Sequence, residues 1–591
     1  MHIHSGNLFR TAPLRSVIAK NGQSIVTTHR HTALLNPVET RALRLCKDCR
    51  SWAHLTAAIS SKLRLEQVEA QAILERLQAL GILVDVTTAF SSLASALDIS
   101  KGAARITNVS IFTKNRPEAL AKCINTYARN CTIFGHECDF TLWDDSPGRE
   151  TQALNRSIAR TVSSALSIRV RYVDINMRQH FCRHLFEAGI PKTVCEFALL
   201  PSPISFSTGA NRNVALLDNL DRLSIFVDDD TTASCAVHPR HHQGLGIGGV
   251  KDPRDFEFFS SRLDAARCQL SKNIDIIGNH ERLLGKALNE CLAERNGDVQ
   301  FRDPCAHMLA DDSSLIPHIA ITMPGKLGDC GRSQPLWVVS ALGRIRSYDN
   351  MIGGQGDLTR DVLECAPCDF IVHGLPCMAM VLGVDGRLAL PPFSPHFRNE
   401  DGVFGALLTR IIANSAMGIV NYAAFHNSEP ERRYANNDQA RFSDLLISIV
   451  NSQSSMLRSP SSNIQLLARY FMEIAAQEER EIEVLCREWL ASHYIAWLNN
   501  LYVDNDDMKM LPKAVSTYFD SQAHKIYSLV TRRELNLPIE FCSSKSSDWE
   551  QFRIELRKMG ELLLWWEDMK VATKTLKDKG IKLSSMENDV F

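Results

Sequence analysis

Between residues 108 and 230 short apolar runs of strand length alternate with amphipathic helical stretches, and two of the runs stop in aspartate. Residues 108–113 read as a strand. Residues 117–129 read as a helix with Leu120, Cys123, Ile124 and Tyr127 on one face. A second strand, 139–143, ends in Asp144-Asp145-Ser146-Pro147, and a third covers 168–173. After a helix over 208–220, the strand 224–227 ends in Asp228-Asp229-Asp230. Strands that alternate with helices build a mostly parallel sheet, and such sheets carry their functional groups at the strand ends. The expected fold class is therefore α/β.

The remaining chain is organised around this stretch. Its 591 residues suggest about three to five domains. With 45% hydrophobic and 23% charged residues, disordered, collagen-like and coiled-coil architectures are excluded. A net charge of −1 gives no support for a nucleic-acid partner. The 17 cysteines are scattered, residues 1–30 hold no apolar segment of signal-peptide length, and no run is long enough to span a membrane. Reduced thiols in a cytoplasmic protein are expected. Cys46-x-x-Cys49 and Cys365-x-x-Cys368 have zinc-like spacing, but buried thiols are the plainer reading. Residues 1–95 form a first unit and 91–104 a linker. A domain over 105–430 carries an insertion near 240–370. From 431 to 591 the chain reads as a helical domain that completes the acceptor groove or mediates self-association.

In the first unit, Asn36 caps a helix, Pro37 suits its first turn, and Glu39 reaches back as in a capping box. Helices over 52–63 and 65–80 and a strand at 82–84 follow, the outline of a small winged helix. The stretch from Leu35-Asn36-Pro37 through Leu43-Arg44-Leu45-Cys46, with Ala70 to Val84, resembles the PqqD-like winged helix, or RiPP recognition element. In that family the module grips a leader peptide as an added strand. Residues 31–90 carry seven Lys/Arg and six Asp/Glu, and Glu66, Glu69 and Glu75 on the third helix repel phosphates. A generic structural winged helix is the alternative.

Five segments, in order, resemble the GT-A glycosyltransferases of the family 2 group. They are Val109 to Pro117, Phe140 to Ser146, Gly209-Ala210-Asn211-Arg212-Asn213, Ile225 to Asp230, and Asn399-Glu400-Asp401. The resemblance implies a Rossmann-like GT-A domain that uses a UDP-sugar. Thr113 would contact base or ribose, Asp145, with Asp144 beside it, would accept the uracil N–H, and Arg212 would meet phosphate or base. Asp228 and Asp230, one residue apart at a strand end, can point to the same side and hold Mg²⁺ or Mn²⁺. Asp229 would then face elsewhere, towards the ribose. Inverting transfer needs a carboxylate base near the acceptor; Asp401 is preferred and Glu400 is second. A histidine about as far beyond the base as His426 completes the metal site in several relatives; His396 and the His238/His241/His242 group are rivals. Gly402, where relatives often carry an aromatic residue, departs from the pattern.

The expected activity is metal-dependent transfer of a sugar to a ribosomally made peptide recruited by its leader. The alternatives are a glycan or small natural product as acceptor, with a structural winged helix, and a winged-helix regulator that senses a sugar nucleotide. No nucleic-acid partner and no membrane span are expected, and a homo-oligomer is open.

Overall fold

The computed structural model describes residues 7–583 apart from 13, 15, 21–22, 29–30, 96–103, 203–205, 250, 269–272, 295–298, 303–315, 333–334, 354–355, 413, 429–433, 435–440, 454–458, 503–510, 533–536, 543–547 and 582. Most of the expected linker therefore lies outside the described residues.

The N-terminal part holds six strands: β1 (Leu8–Thr11), β2 (Ser16–Lys20), β3 (Gln23–Thr27), β4 (Thr32–Leu35), β5 (Arg50–Ser51) and β6 (Leu83–Asp85). They form two small antiparallel sheets, β2-β3-β4 and β5-β1-β6, around the helices Pro37–Leu45, Trp52–Leu63 and Gln67–Ala79. The capping box is present. Asn36 Oδ1 accepts from the backbone N–H groups of Val38 and Glu39, each at 2.9 Å, and Glu39 Oε2 accepts from Asn36 N at 2.9 Å. Leu43, Leu55, Ile59, Leu74 and Leu77 meet in a separate small core. The next helix, Val86–Ser95, leaves that core and packs Val86 and Phe90 against the large domain, Phe90 stacking on Phe301 at 5.1 Å.

Fourteen further strands share one sheet. They are β7 (Ile106–Thr113), β8 (Asp139–Asp144), β9 (Val170–Val173), β10 (Leu223–Asp228), β11 (Thr231–Val237), β12 (Leu245–Gly248) and β13 (Asp255–Phe258). Then come β14 (Val299–Arg302), β15 (His318–Asp329), β16 (Ile345–Ser347), β17 (Asp361–Cys365), β18 (Asp369–Val372), β19 (Val381–Asp385) and β20 (Ser415–His426). The main path runs β14-β12-β18-β20-β15-β19-β10-β7-β8-β9. This is α/β with a large mixed sheet. The parallel character expected from the sequence holds for β9-β8-β7-β10, while β19 runs antiparallel to both β10 and β15. The stretch 240–370, expected as an insertion, supplies β15 to the middle of the sheet, between β19 and β20.

Strand direction decides which strand ends meet. Two antiparallel steps, β10 to β19 and β19 to β15, restore the original direction, and β20 is parallel to β15. The C-terminal ends of β7, β8, β10, β15 and β20 therefore lie along one edge of the sheet.

One face of the sheet packs against helices that include Pro117–Phe134. The other face shares its core with the C-terminal helices, where Phe471, Phe552, Leu556, Leu563 and Trp566 join Phe226, Leu382 and Phe404. Trp566 buries its ring and donates its indole N–H to the Leu390 carbonyl at 2.8 Å, the partner a buried indole needs. The residues after 431 are thus joined to the sheet by burial. In sequence 463–496 reads as one helix, but the stretch forms two, Pro460–Ala475 and Glu479–Tyr502. The run Leu388-Ala389-Leu390 likewise reads as a strand and forms none.

Candidate functional site

From β7 the chain moves outward to β8 and β9, then returns to pair β10 on the other side of β7. That reversal makes the β7/β10 junction a topological switch point, where open α/β sheets leave a crevice at the strand ends. A cavity of ≈ 1890 Å³ opens there, lined by Thr113, Asp145, Arg212, Asp228, Asp229, Asp230, Glu400 and Asp401 among others. Residues from all five segments singled out in the sequence thus line one cavity.

Thr113 ends β7 and donates its hydroxyl to Asp229 Oδ2 at 2.7 Å. Arg116, the residue before the helix Pro117–Phe134, donates to Asp229 Oδ1 at 3.2 Å and Asp230 Oδ2 at 3.1 Å. Asp229, expected to face a ribose, is thus held by protein groups. Burial, with Asp230 beside it, pushes the Asp229 carboxyl up to about 7.

Arg212 projects from the helix Thr208–Asp218 and is buried. It donates to Asp228 Oδ1 at 2.6 Å, to Glu400, and to the Ala379 carbonyl at 3.3 Å. The helix reaches this position because residue 209 is glycine: a Cβ there would collide with the Ser394 carbonyl oxygen. Glu400 and Asp401 open the helix Glu400–Ile411, whose N-terminus favours anions. Burial raises the Glu400 carboxyl to about 7 although Arg212 pulls it down. Asp401 accepts from Ala379 N and Gly402 N, each at 2.9 Å, and borders the cavity.

His426 ends β20. The register Thr231↔His426 sets it beside Asp230, and its Nε2 lies 3.3 Å from Asp230 Oδ1. Its Nδ1 lies 2.7 Å from the Asp329 carbonyl, which can only accept, so Nδ1 carries the proton. Neutral His426 would then turn a lone pair on a carboxylate oxygen, a pairing that calls for a proton or a cation. Burial opposes protonation of the ring, but the Asp230 carboxylate outweighs it and raises the His426 pKa.

The donor chemistry here suits a divalent ion, because carboxylate and imidazole together are ligands for Mn²⁺. Two ligand atoms each about 2.1 Å from one ion lie roughly 3.0–3.4 Å apart, and Asp230 with His426 meets that spacing. Asp228, the third expected ligand, has its Oδ1 on Arg212. Among the described residues no three His, Cys, Asp or Glu side chains are already gathered as a metal site. The site nevertheless gathers five carboxylates, Asp228, Asp229, Asp230, Glu400 and Asp401, around two guanidiniums, Arg116 and Arg212. Among these paired groups the balance favours an added cation, with Lys114 and Arg398 also on the cavity lining.

Two expected roles change. Asp144 is wholly buried and accepts from Ser146 N at 2.7 Å, Asn155 Nδ2 at 2.9 Å and Tyr172 OH at 2.6 Å. It anchors the turn after β8 and does not line the cavity. Asp145 does line it, but pairs with the fully buried Arg178, which also donates to Asn211 Oδ1 at 3.2 Å. Of the rival histidines, His396 pairs with Glu555 at 2.8 Å and His238 with Asp255 at 3.0 Å. Sequence reading missed Arg116 and Arg178. Arg116 stood next to the helix-initiating Pro117, whereas nothing near Arg178 in the sequence announces Asp145.

No family model matches the chain, and no curated protein matches it. Among the described residues no helix is long and apolar enough to cross a membrane. Among solved structures the chain matches one from the E. coli microcin synthetase McbBCD complex at 10% identity, with a TM-score of 0.11. The match covers 28% of this chain and 60% of that one.

Proposed function

We propose that the chain is a glycosyltransferase that moves a sugar from a nucleotide diphosphate donor, a UDP-sugar, to a peptide acceptor. The observation that carries this reading is the convergence of the five separated segments on one cavity at the sheet's switch point. Pockets for a single small ligand hold about 300–1,000 Å³; at ≈ 1890 Å³ this one has room for a donor and an acceptor together.

In this reading the base and ribose lie toward Thr113 and Asp145, and the diphosphate toward Asp228 and Asp230. A divalent ion held by Asp230 and His426, with Asp228 as third ligand, would supply Lewis-acid neutralisation of the departing diphosphate. Asp401 takes the acceptor's proton as the acceptor atom bonds to the anomeric carbon. The bond from that carbon to the diphosphate oxygen breaks, and its electron pair leaves on the UDP. Ala379 N–H and Gly402 N–H hold the Asp401 carboxylate in place for this step. Arg212 braces Asp228 against Glu400 and so keeps the donor side and the base side in fixed relation.

The N-terminal unit would recruit the acceptor. Among the described residues β2 and β4 each pair only with β3, so the sheet offers two edges to an added strand. Val17, Ile25 and Leu34 are exposed apolar residues on that sheet. Asp48 and Arg50 of the same unit line the cavity, so a peptide held there would have a short path to the base.

The test is calorimetry with UDP, with and without Mn²⁺, on the wild type and Asp230→Ala. Metal-dependent binding that disappears in the variant is the expected result. Absence of UDP binding with any metal would overturn the donor assignment.

A further inference from the structure

The cavity has a second wall that this function does not use. It is built from Lys251, Asp252, Arg254, Arg332, Trp337 and Arg344, which lie in the segments next to β13, β15 and β16 and in the 3-10 helix Pro335–Ala341. Arg254 is 1% exposed and donates to Asp252 Oδ1 and Oδ2 at 2.8 and 2.7 Å. It also pairs with Glu364 at 2.9 Å. Arg332 forks onto the same Glu364 at 2.7 and 3.1 Å and lies over the Trp337 ring at 4.3 Å. Arg344 gives its two terminal nitrogens to the carbonyls of Arg254 and Ser340, each at 2.6 Å. It stands 3.7 Å from Asp252. Behind them Lys326, 1% exposed, donates to the Cys330 carbonyl at 3.0 Å.

This network sets four cations, Arg254, Arg332, Arg344 and Lys326, against two carboxylates, Asp252 and Glu364. Buried charge that is not matched is costly. The molecule registers that cost: burial, with Arg332 and Arg254 nearby, pulls Lys326 down to about 8. Burial, with Arg254 beside it, also lowers Arg344. Within this network the excess is two positive charges, Lys251 on the same wall adds a third, and Lys251, Arg332 and Arg344 reach the cavity.

The wall also lies close to the proposed metal ligands. A Cβ placed on Gly331 would be 3.5 Å from His426 Cε1 and 3.6 Å from Lys326 Nζ. Asp230 lines the cavity beside Asp229, and His426 touches Asp230 from behind that lining. The carboxylates and the basic wall therefore meet near Gly331, which itself lines the cavity.

We propose that Arg332 and Arg344, backed by Arg254 and Lys326, form a subsite for a doubly charged oxyanion of the phosphate-ester class carried by the second substrate. The term "second substrate" rests on the glycosyl-donor reading; the anion site itself does not. A dianion matches the network's charge excess, and planar guanidiniums held by Trp337 and by backbone carbonyls are preorganised donors for its oxygens.

The probe is inorganic phosphate, titrated by calorimetry into the full chain. Saturable binding is expected, weakened at least about 10-fold in Arg332→Gln and in Arg344→Gln and regained in Arg344→Lys. Among the described residues the Arg344 side chain hydrogen-bonds carbonyls and lies over the Phe256 ring at 5.2 Å, so its variant strands no buried carboxylate within hydrogen-bond distance, and a melting curve checks that the fold is kept. No saturable binding, or equal binding in both Gln variants, would overturn the site. Repeating the titration with UDP present separates the two ideas. Unchanged phosphate affinity is expected; full displacement by UDP would give the wall to the donor's diphosphate and end the second-substrate assignment. A chain that binds phosphate but never UDP would leave the anion site standing and remove the donor reading.

Discussion

The ends of the parallel strands β7 and β10 and the segments that flank the mixed strands β13, β15 and β16 border the same cavity with opposite charge. On the parallel side five carboxylates surround Arg116 and Arg212. On the mixed side four cations surround Asp252 and Glu364. Neither side is neutral by itself, and on both sides burial, with like charges nearby, pushes side chains away from their ordinary protonation: Asp229 and Glu400 up to about 7, Lys326 down to about 8. Strand ends in one sheet thus hold two unlike ligand environments side by side. A cation suits one and an anion the other.

The sharpest break in this comparison is Asp230→Ala. It removes the carboxylate shared by Arg116 and His426, and glycosyl transfer in the presence of Mn²⁺ should fall by about 10²–10³-fold or more. Full turnover in the variant would dissolve the carboxylate pole as a functional unit. Asp401→Asn sharpens the same side: UDP affinity should stay within about twofold while turnover falls by about 10²–10⁴-fold, the range of general-base catalysis. Normal turnover there would move the base elsewhere.

On the mixed side Glu364→Ala is the counterpart, and its effect is on folding. It leaves Arg254 and Arg332 buried without their shared partner, which typically costs about 3–5 kcal/mol. Urea unfolding should show it, and a loss below about 1 kcal/mol would mean the guanidiniums already reach solvent.

Away from the cavity, His280 is wholly buried against the sheet, 2.6 Å from Thr322 Oγ1 and 2.8 Å from Tyr422 OH. Burial lowers its pKa to about 3. The unfolded chain takes up that proton near pH 6.5 and the folded chain does not. The His280 contribution is therefore complete above pH 6.5 and is lost as pH falls towards 3, at most on the order of 5 kcal/mol. His280→Gln should flatten the stability profile between pH 6.5 and 4, a window above the Asp218 carboxyl, which Arg171 holds at about 2 against the pull of burial. An unchanged slope would sink the assignment. The smallest effect lies outside both sides: Asn36→Ala removes the capping box and should cost about 1 kcal/mol in thermal unfolding.

The two sides were not equally legible. The strand and helix pattern over 108–230 was readable because each element declares itself within its own span, by apolar period and by acids at its end. The same holds for the Asn36 cap and the helix Trp549–Asp578. Over 231–390 the strands other than the 12-residue β15 are short, and they pair out of order, β12 with β18 and β15 with β20, so no local alternation announces them. The basic wall went unseen for that reason.

What the sequence determined by itself was the element order of the parallel half and the residues that end its strands. Backbone propensity and side-chain period act within a few residues, and the chain carries both in plain view. What only the tertiary structure decided was which of those acids faces the cavity. Asp144 and Asp145 are adjacent and chemically alike, yet Asn155 and Tyr172 take the first into the core while Arg178 holds the second at the cavity wall. Likewise Arg212 meets Glu400 across 188 positions and His426 meets Asp230 through a strand register. Charge pairing across such separations is set by where the sheet brings its edges, and the spacing of residues along the chain carries no record of it.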